Sequence, residues 1–138
     1  MELTVKYLEN VKFAVHTRGH EVICDQPRDN GGCDAGISPP EFLLASLGAC
    51  AGYYAAQYLR TRSLPTGGLE VHVLSEKALG PARLAAFQIE VTVPEIEERH
   101  KEGVMRAVKA CLIHNTLLHA PAIGVVVHTP KASLPAVF

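Results

Sequence analysis

Hydrophobic and polar residues alternate in several short stretches of the chain, and this period of two predicts β-strands. Three such stretches come first, two lie in the middle, and one lies near the end. They cover residues 3–7, 11–15, 21–24, about 69–77, 87–93 and 123–127. Gly19 lies in the predicted turn between the second and third strands, where it is free to take a positive φ. The pattern therefore predicts a chain that starts with a three-stranded meander.

An uncharged run separates the third and fourth predicted strands, with no Asp, Glu, Lys or Arg from position 42 to 59. Its start carries a helix signal: Ser38 can serve as N-cap, Pro39 takes the first helical position, and Glu41 falls at the third. The pattern predicts a helix over about residues 39–63. Because this helix is apolar on most sides, we expect it to be buried at the centre of the fold.

The uncharged run is near the length of a membrane span, but its composition favours a soluble helix. Alanine, glycine, serine and tyrosine predominate over leucine and isoleucine. Gly48 and Gly52 each cost about 1 kcal/mol relative to alanine inside a helix. With the neighbouring alanines they form a face of small residues, so we expect a partner helix or a sheet to approach closely.

A second helix is predicted after the fifth strand, starting in a glutamate-rich segment. Its helical spacing is carried by Ile96, Val104, Ala107, Val108 and Cys111. Cys111 is therefore expected on the inward face or just past the helix end. Asn115 and Thr116 can cap a short helix that follows. The order β-β-β-α-β-β-α-(α)-β indicates an α+β fold, because strands and helices do not alternate regularly.

Length and charge narrow the class of protein. The 138 residues fit a single domain, 1–138, with 48% hydrophobic and 20% charged residues. A net charge of -1 gives no strong attraction to nucleic acid or to an anionic membrane. The first six residues do not resemble a signal peptide, so we expect a cytoplasmic protein whose thiols are kept reduced.

The four cysteines do not show the paired spacing of a structural zinc site. They stand at Cys24, Cys33, Cys50 and Cys111. Cys24 is interpreted as a strand core residue, and Cys33 as an exposed thiol of the loop 25–37 without a special role. Cys111 and His114 have C-x-x-H spacing, which alone is a weak metal signal. We expect no metal, haem or flavin.

Two segments resemble the cysteine motifs of the OsmC/Ohr family, the osmotically inducible and organic hydroperoxide resistance proteins. Residues 36–50 (GISPPEFLLASLGAC) are similar to the first motif, and residues 111–117 (CLIHNTL) to the second. The predicted order of strands and helices agrees with this resemblance over nearly the whole chain. The resemblance implies an OsmC-like fold with a long buried central helix, and an intertwined homodimer with its sites at the subunit interface.

Cys50 and Cys111 lie in different elements, and both are predicted to face inward, so the fold could bring them together. The resemblance implies that Cys50 attacks an organic hydroperoxide and becomes a sulfenic acid. It also implies that Cys111 then closes a disulfide with it. A dithiol, which the resemblance implies is a lipoylated protein or a similar small dithiol, would reduce the disulfide.

An attacking cysteine must be a thiolate, and Cys50 lies too far along the helix for the helix N-terminus to stabilise it. The resemblance implies that an arginine from the N-terminal strands does so, held by the motif glutamate. Arg18 is the leading candidate and Arg28 the second, although each fits a solvated loop position equally well. Glu41 matches the motif glutamate and also the capping box. It lies nine residues before Cys50, which is about 180° around the helix, so one helix cannot present both side chains to the same site. A site that uses both residues would take Glu41 from one chain and Cys50 from another.

One departure from the hydroperoxide resistance branch keeps a second hypothesis open. Leu112 stands where that branch usually has proline after the second cysteine. The alternative is a non-catalytic dimeric module that binds an apolar small molecule at the subunit interface. Phe42, Tyr53 and Tyr54 could line an apolar pocket suited to alkyl peroxides, or they could belong to the core. His114 could act as an acid or base near the thiols, or be a structural residue.

Overall fold

The computed structural model describes residues 1–130. The element order confirms an α+β arrangement. The strands are β1 (Thr4–Glu9), β2 (Lys12–Thr17), β3 (His20–Cys24), β4 (Glu70–Ala78) and β5 (Arg83–Thr92). The helices are α1 (Pro39–Arg60), α2 (Lys101–Lys109) and α3 (Leu112–Leu118), with 3₁₀ turns at Arg28–Asn30 and Glu98–His100.

The first three strands form an antiparallel sheet in the order β1-β2-β3, as the meander prediction required. Val15 pairs with Val5 on one side and with Val22 on the other. Directly opposite residues share a face of a sheet, so these valines lie together on one apolar face. Val5 and Val22 remain exposed, whereas Cys24 at the end of β3 is buried, as predicted.

The central helix α1 packs on the second sheet, which consists of the antiparallel pair β4 and β5. The Cα of Gly48 faces the side chain of Val73, and that of Gly52 faces Val71. This confirms that the small-residue face of the helix is approached closely, and it identifies the partner as a sheet. The predicted burial is found along one side, at Leu47, Ala51, Ala55 and Leu59.

The helix α2 packs against α1 and contributes to the same core as the second sheet. Val104 and Val108 pack against the buried alanines of α1. Nearby, the ring of Tyr58 lies directly over Gly103, and its hydroxyl is 3.2 Å from Nδ1 of His100. Any side chain at position 103 would overlap that ring, so the glycine permits the close crossing of the two helices.

The predicted last strand is wrong for the described chain. Residues 120–130 have no regular structure, and Ile123, Val125 and Val127 are 85%, 84% and 79% exposed. The alternation of apolar residues is real, but a strand also needs a neighbour for its backbone hydrogen bonds, and no strand within residues 1–130 pairs with this segment. The central helix also ends at Arg60, earlier than predicted, because the chain reaches a positive φ of 54° at Ser63.

Candidate functional site

The two motif cysteines meet in the fold. Cys50 lies on α1 and is partly exposed, whereas Cys111 is the residue just before α3 and is 0% exposed. The Cys50 side chain lies close enough to the Cys111 thiol to raise the pKa of that thiol. Both are free thiols. The structure therefore places an accessible thiol directly against a buried one, which is the arrangement that formation of a disulfide between them requires.

The buried thiol is held in its protonated form. Burial raises the pKa of Cys111, and the adjacent Cys50 side chain raises this pKa further. The backbone amides of His114 and Ile113 lower this pKa and offset these effects only in part. Cys111 is thus the poorer resting nucleophile, and its position suits a thiol that reacts second.

Cys50 has no cationic partner within the described chain. It lies twelve residues after the N-cap Ser38, in the middle of an unbroken helix, so the helix N-terminus cannot stabilise a thiolate there. The hydrogen bonds and ion pairs that lysines and arginines form within residues 1–130 all go to other groups. A thiolate at Cys50 would need a positive charge from elsewhere.

The two candidate arginines lie away from the thiols. Arg18 occupies the β2–β3 turn with a φ of 50° and is exposed. It lines a surface hollow together with His16, Glu21 and other residues of the first sheet. Arg28 is exposed in the 3₁₀ turn that follows β3. The structure of one chain therefore brings neither arginine to Cys50.

Glu41 has the capping role that the sequence predicted. Its Oε2 accepts hydrogen bonds from the Ser38 backbone N–H at 2.7 Å and from the Ser38 hydroxyl at 2.8 Å. These two bonds hold the pKa of the Glu41 carboxyl below its usual value. Because α1 is continuous from Pro39 to Arg60, Glu41 and Cys50 lie on opposite faces of the helix. A role for Glu41 beside Cys50 of the same chain is not supported.

An apolar groove adjoins the thiol pair, and sequence reasoning missed it. It has a volume of about 870 Å³ and runs between β5 and the helices α2 and α3. Leu47, one turn before Cys50, and His114, one turn after Cys111, are both part of its wall. The remaining apolar wall residues include Phe87, Ile89, Val91, Val104, Val108 and Leu117. The alternation of apolar residues along β5 predicts one wall of this groove. The space beside that wall depends on how the helices pack, which the sequence pattern does not show.

The aromatic residues proposed for a pocket lie elsewhere. Tyr53 is exposed and stacks edge to face on Tyr54, with ring centroids 5.3 Å apart. Neither ring is part of the groove wall, and Phe42 is not part of it either. The prediction that these tyrosines line an apolar pocket is therefore not met within one chain.

A second missed residue is Asp25, a buried carboxylate at the start of the loop after β3. Its oxygens accept the backbone N–H groups of Gln26, Cys33 and Ala35 at 2.8, 3.1 and 3.0 Å. The Ala35 bond is the main cause that holds the pKa of Asp25 below its usual value against the opposing effect of burial. Asp25 therefore organises the loop that carries the exposed Cys33. An aspartate before a glycine-rich loop was the sequence signal.

Within residues 1–130, no three side chains of the metal-binding types gather closely enough to hold an ion. No helix in the same part of the chain has the length and apolarity needed to cross a membrane.

Comparison with known proteins identifies similar sequences and folds. A family model described as OsmC-like protein matches residues 31–126. A candidate osmotic stress induced and detoxification response protein from Psychrobacter arcticus has a TM-score of 0.75 at 22% identity, over 83% of this chain and 85% of that one. An OsmC-like protein from Mycoplasma pneumoniae has a TM-score of 0.71 at 21% identity, over 86% and 87% of the two chains.

A third similar structure carries a more specific name. An organic hydroperoxide resistance protein from Elizabethkingia anophelis has a TM-score of 0.64 at 17% identity, over 86% of this chain and 87% of that one. No curated protein matches the chain. At these identities the solved structures establish the fold, and the predicted OsmC-like fold is confirmed.

Proposed function

Because the chain belongs to the OsmC-like family, we propose that it is a thiol-dependent reductase of organic hydroperoxides. Cys50 is the attacking thiol and Cys111 the resolving one. The observation that carries the proposal is the contact between the partly exposed Cys50 and the fully buried Cys111. The hydroperoxide resistance named for the Elizabethkingia relative supports the choice of substrate class.

The proposed cycle has three balanced steps. The Cys50 thiolate attacks one peroxide oxygen, and the O–O bond breaks to release an alkoxide that takes a proton and leaves as the alcohol. The resulting Cys50 sulfenic acid reacts with the Cys111 thiol, which forms the disulfide and releases water. An external dithiol, such as a lipoyl group, then reduces the disulfide by exchange. The cycle requires a reducing compartment, so the proposed location is the cytoplasm.

The missing positive charge leads us to propose a homodimer whose sites combine residues of two chains. In this proposal Arg18 of one chain stabilises the Cys50 thiolate of the other, and Glu41 orients that arginine. Two features support an interface between copies. The first sheet exposes the apolar Val5 and Val22 on one face, and the exposed side of α1 carries no charge from position 42 to 59.

Turnover of an organic hydroperoxide tests the proposal. Purified protein is mixed with cumene hydroperoxide and dihydrolipoamide, and peroxide loss is followed. The wild type and a Cys33→Ser control should turn over at similar rates, because Cys33 lies in the distant loop. Cys50→Ser should reduce the rate to that of the protein-free reaction. Loss of peroxide that is equally fast with Cys50→Ser would refute the proposed role of this thiol.

The dimeric site is tested by mixing two defective chains. Arg18→Ala and Cys50→Ser should each be nearly inactive alone. If Arg18 acts across the interface, co-refolding equal amounts restores about a quarter of wild-type activity, because only mixed dimers contain one complete site. An inactive mixture that does form mixed dimers would show that Arg18 and Cys50 act within one chain. Wild-type activity of Arg18→Ala alone would show that Arg18 has no role.

The apolar groove favours one alternative, a module that binds an apolar small molecule without catalysis. Most of the groove wall is apolar, and its volume lies in the range of small-molecule sites. Thiol reactivity separates the two functions. An enzyme requires a Cys50 that is alkylated rapidly near neutral pH, whereas a binding module does not. The alternative would be favoured if Cys50 is alkylated slowly and an apolar dye binds saturably. The Val108→Asp variant should then lose the binding of the dye.

A further inference from the structure

His114 has an unexplained nitrogen. Its Nδ1 is, among the residues that the structure describes, the one buried side-chain nitrogen or oxygen without a hydrogen-bond partner. Leaving a buried polar group unpaired is unfavourable, because the group has lost its hydrogen bonds to water. Such an atom calls for a specific reason, and a role in a reaction is one of them.

The position of His114 relates this nitrogen to the thiol pair. His114 lies in the first turn of α3, three residues after Cys111, which is the N-cap residue of that helix. Its ring forms part of the groove wall together with Leu47, which is one turn before Cys50 on α1. Residues three apart are neighbours on a helix. The ring therefore adjoins the helical turns that carry both thiols.

The resolving step needs a group that can move a proton. Cys111 is completely buried, so its thiol cannot release a proton directly to bulk water. The groups that shift its pKa are the Cys50 side chain and the backbone amides of His114 and Ile113, and none of the amides is a base. Because the pKa of Cys111 is raised, its thiol is harder to deprotonate, and a nearby base matters more. The imidazole of His114 lies on the same helical turn and has a nitrogen without a hydrogen-bond partner, so it can accept the Cys111 proton.

We propose that His114 is the acid–base residue of the resolving step. As the Cys111 sulfur attacks the Cys50 sulfur, the Cys111 proton passes to the imidazole. The S–O bond of the sulfenic acid breaks with its electron pair on oxygen, and the departing hydroxide takes the proton to form water. The imidazole ends in its starting state, and no further oxidant or reductant is used. This role rests on the function proposed above.

Other titratable groups face the same groove and must be separated from His114 in any pH study. They are Glu97 and Glu98 at its rim and Lys101 and Lys109 on α2. All four are exposed, and Lys101 is paired with Glu98 at 3.1 Å. His119, beyond the end of α3, is also exposed, and its Nδ1 lies 3.0 Å from the Asn115 backbone oxygen. It provides a matched control that leaves the thiol pair untouched.

The test compares His114→Asn with His119→Asn by rapid quenching and mass spectrometry after addition of cumene hydroperoxide. Sulfenic acid and disulfide are counted separately from about pH 5 to 8. We expect disulfide closure to slow on the order of 10²-fold in His114→Asn, and its pH dependence to flatten. His119→Asn should close at the wild-type rate. Wild-type closure with a wild-type pH profile in His114→Asn would overturn the proposal.

A second reagent separates failure of this proposal from failure of the peroxidase function. 4,4′-Dithiodipyridine forms a mixed disulfide at Cys50, and attack by Cys111 then releases a second thiopyridone. If peroxide leaves the wild type unmodified but this release is slowed in His114→Asn, the peroxidase function fails and the role of His114 towards Cys111 stands. Equal release rates in both proteins would refute that role. Matching circular dichroism spectra and melting curves exclude a folding defect.

Discussion

The two glycines of α1 provide a quantitative test of how the central helix lies on the sheet. Both are internal to the same helix and both face β4. A Cβ at Gly52 would lie 3.5 Å from Cγ2 of Val71, an ordinary contact. A Cβ at Gly48 would lie 3.0 Å from Cγ2 of Val73, which is too close without adjustment. Alanine should therefore have different effects at these two similar positions.

The magnitudes follow from two opposing effects. Alanine gains about 1 kcal/mol over glycine in a helix interior at either position. At Gly52 nothing opposes this gain, so Gly52→Ala should raise the free energy of unfolding by about 1 kcal/mol. At Gly48 the new methyl group must displace Val73, whose branched side chain has little rotamer freedom, and overpacking of this kind costs about 1–3 kcal/mol. Gly48→Ala should be neutral or up to about 2 kcal/mol less stable than the wild type.

Urea denaturation followed by circular dichroism measures both variants under the same conditions. The double variant Gly48→Ala/Val73→Ala removes the crowded methyl groups and should show a favourable coupling energy. If Gly48→Ala is stabilised as much as Gly52→Ala, then the helix does not lie at the described distance from Val73, and the reasoning is refuted.

Three further predictions concern other sites. Asp25→Asn should lower the urea midpoint at pH 7, and equal midpoints of variant and wild type would contradict the structural role of Asp25. Because the folded-state pKa of Asp25 is lowered, its contribution to stability is present above about pH 4 and is lost as the pH falls through the folded-state pKa. Gly103→Ala should cost about 1–3 kcal/mol by collision with Tyr58, and wild-type stability in denaturation would refute that contact. Brief iodoacetamide treatment of the folded protein, read by peptide mass spectrometry, should label Cys33 and Cys50 but not the two buried cysteines, and equal labelling of all four would refute the burial.

Local signals in the sequence predicted much of the fold. The N-terminal cap of α1 could be read from Ser38 and Glu41 because a capping box depends on residues three positions apart. The strands of both sheets could be read because alternation reports directly which face is apolar. The strand predicted at 123–127 failed because pairing depends on a neighbour, which alternation cannot supply.

The candidate site was predictable only in part. The contact of Cys50 with Cys111 followed from two inward-facing motif residues, and the structure confirms that they meet. The groove could not be predicted, because it is a gap between β5 and two helices whose positions depend on the packing of many side chains. The unpaired nitrogen of His114 could not be predicted either, since it depends on what the ring fails to contact.

The most direct test of the proposed chemistry is the intact mass of the reduced protein after one equivalent of cumene hydroperoxide. The account predicts that the wild type loses two hydrogens, that Cys111→Ser gains one oxygen, and that Cys50→Ser is unchanged. This outcome would establish Cys50 as the attacking thiol and Cys111 as the resolving thiol. An unmodified wild type, or a Cys50→Ser variant oxidised as readily as the wild type, would contradict the account.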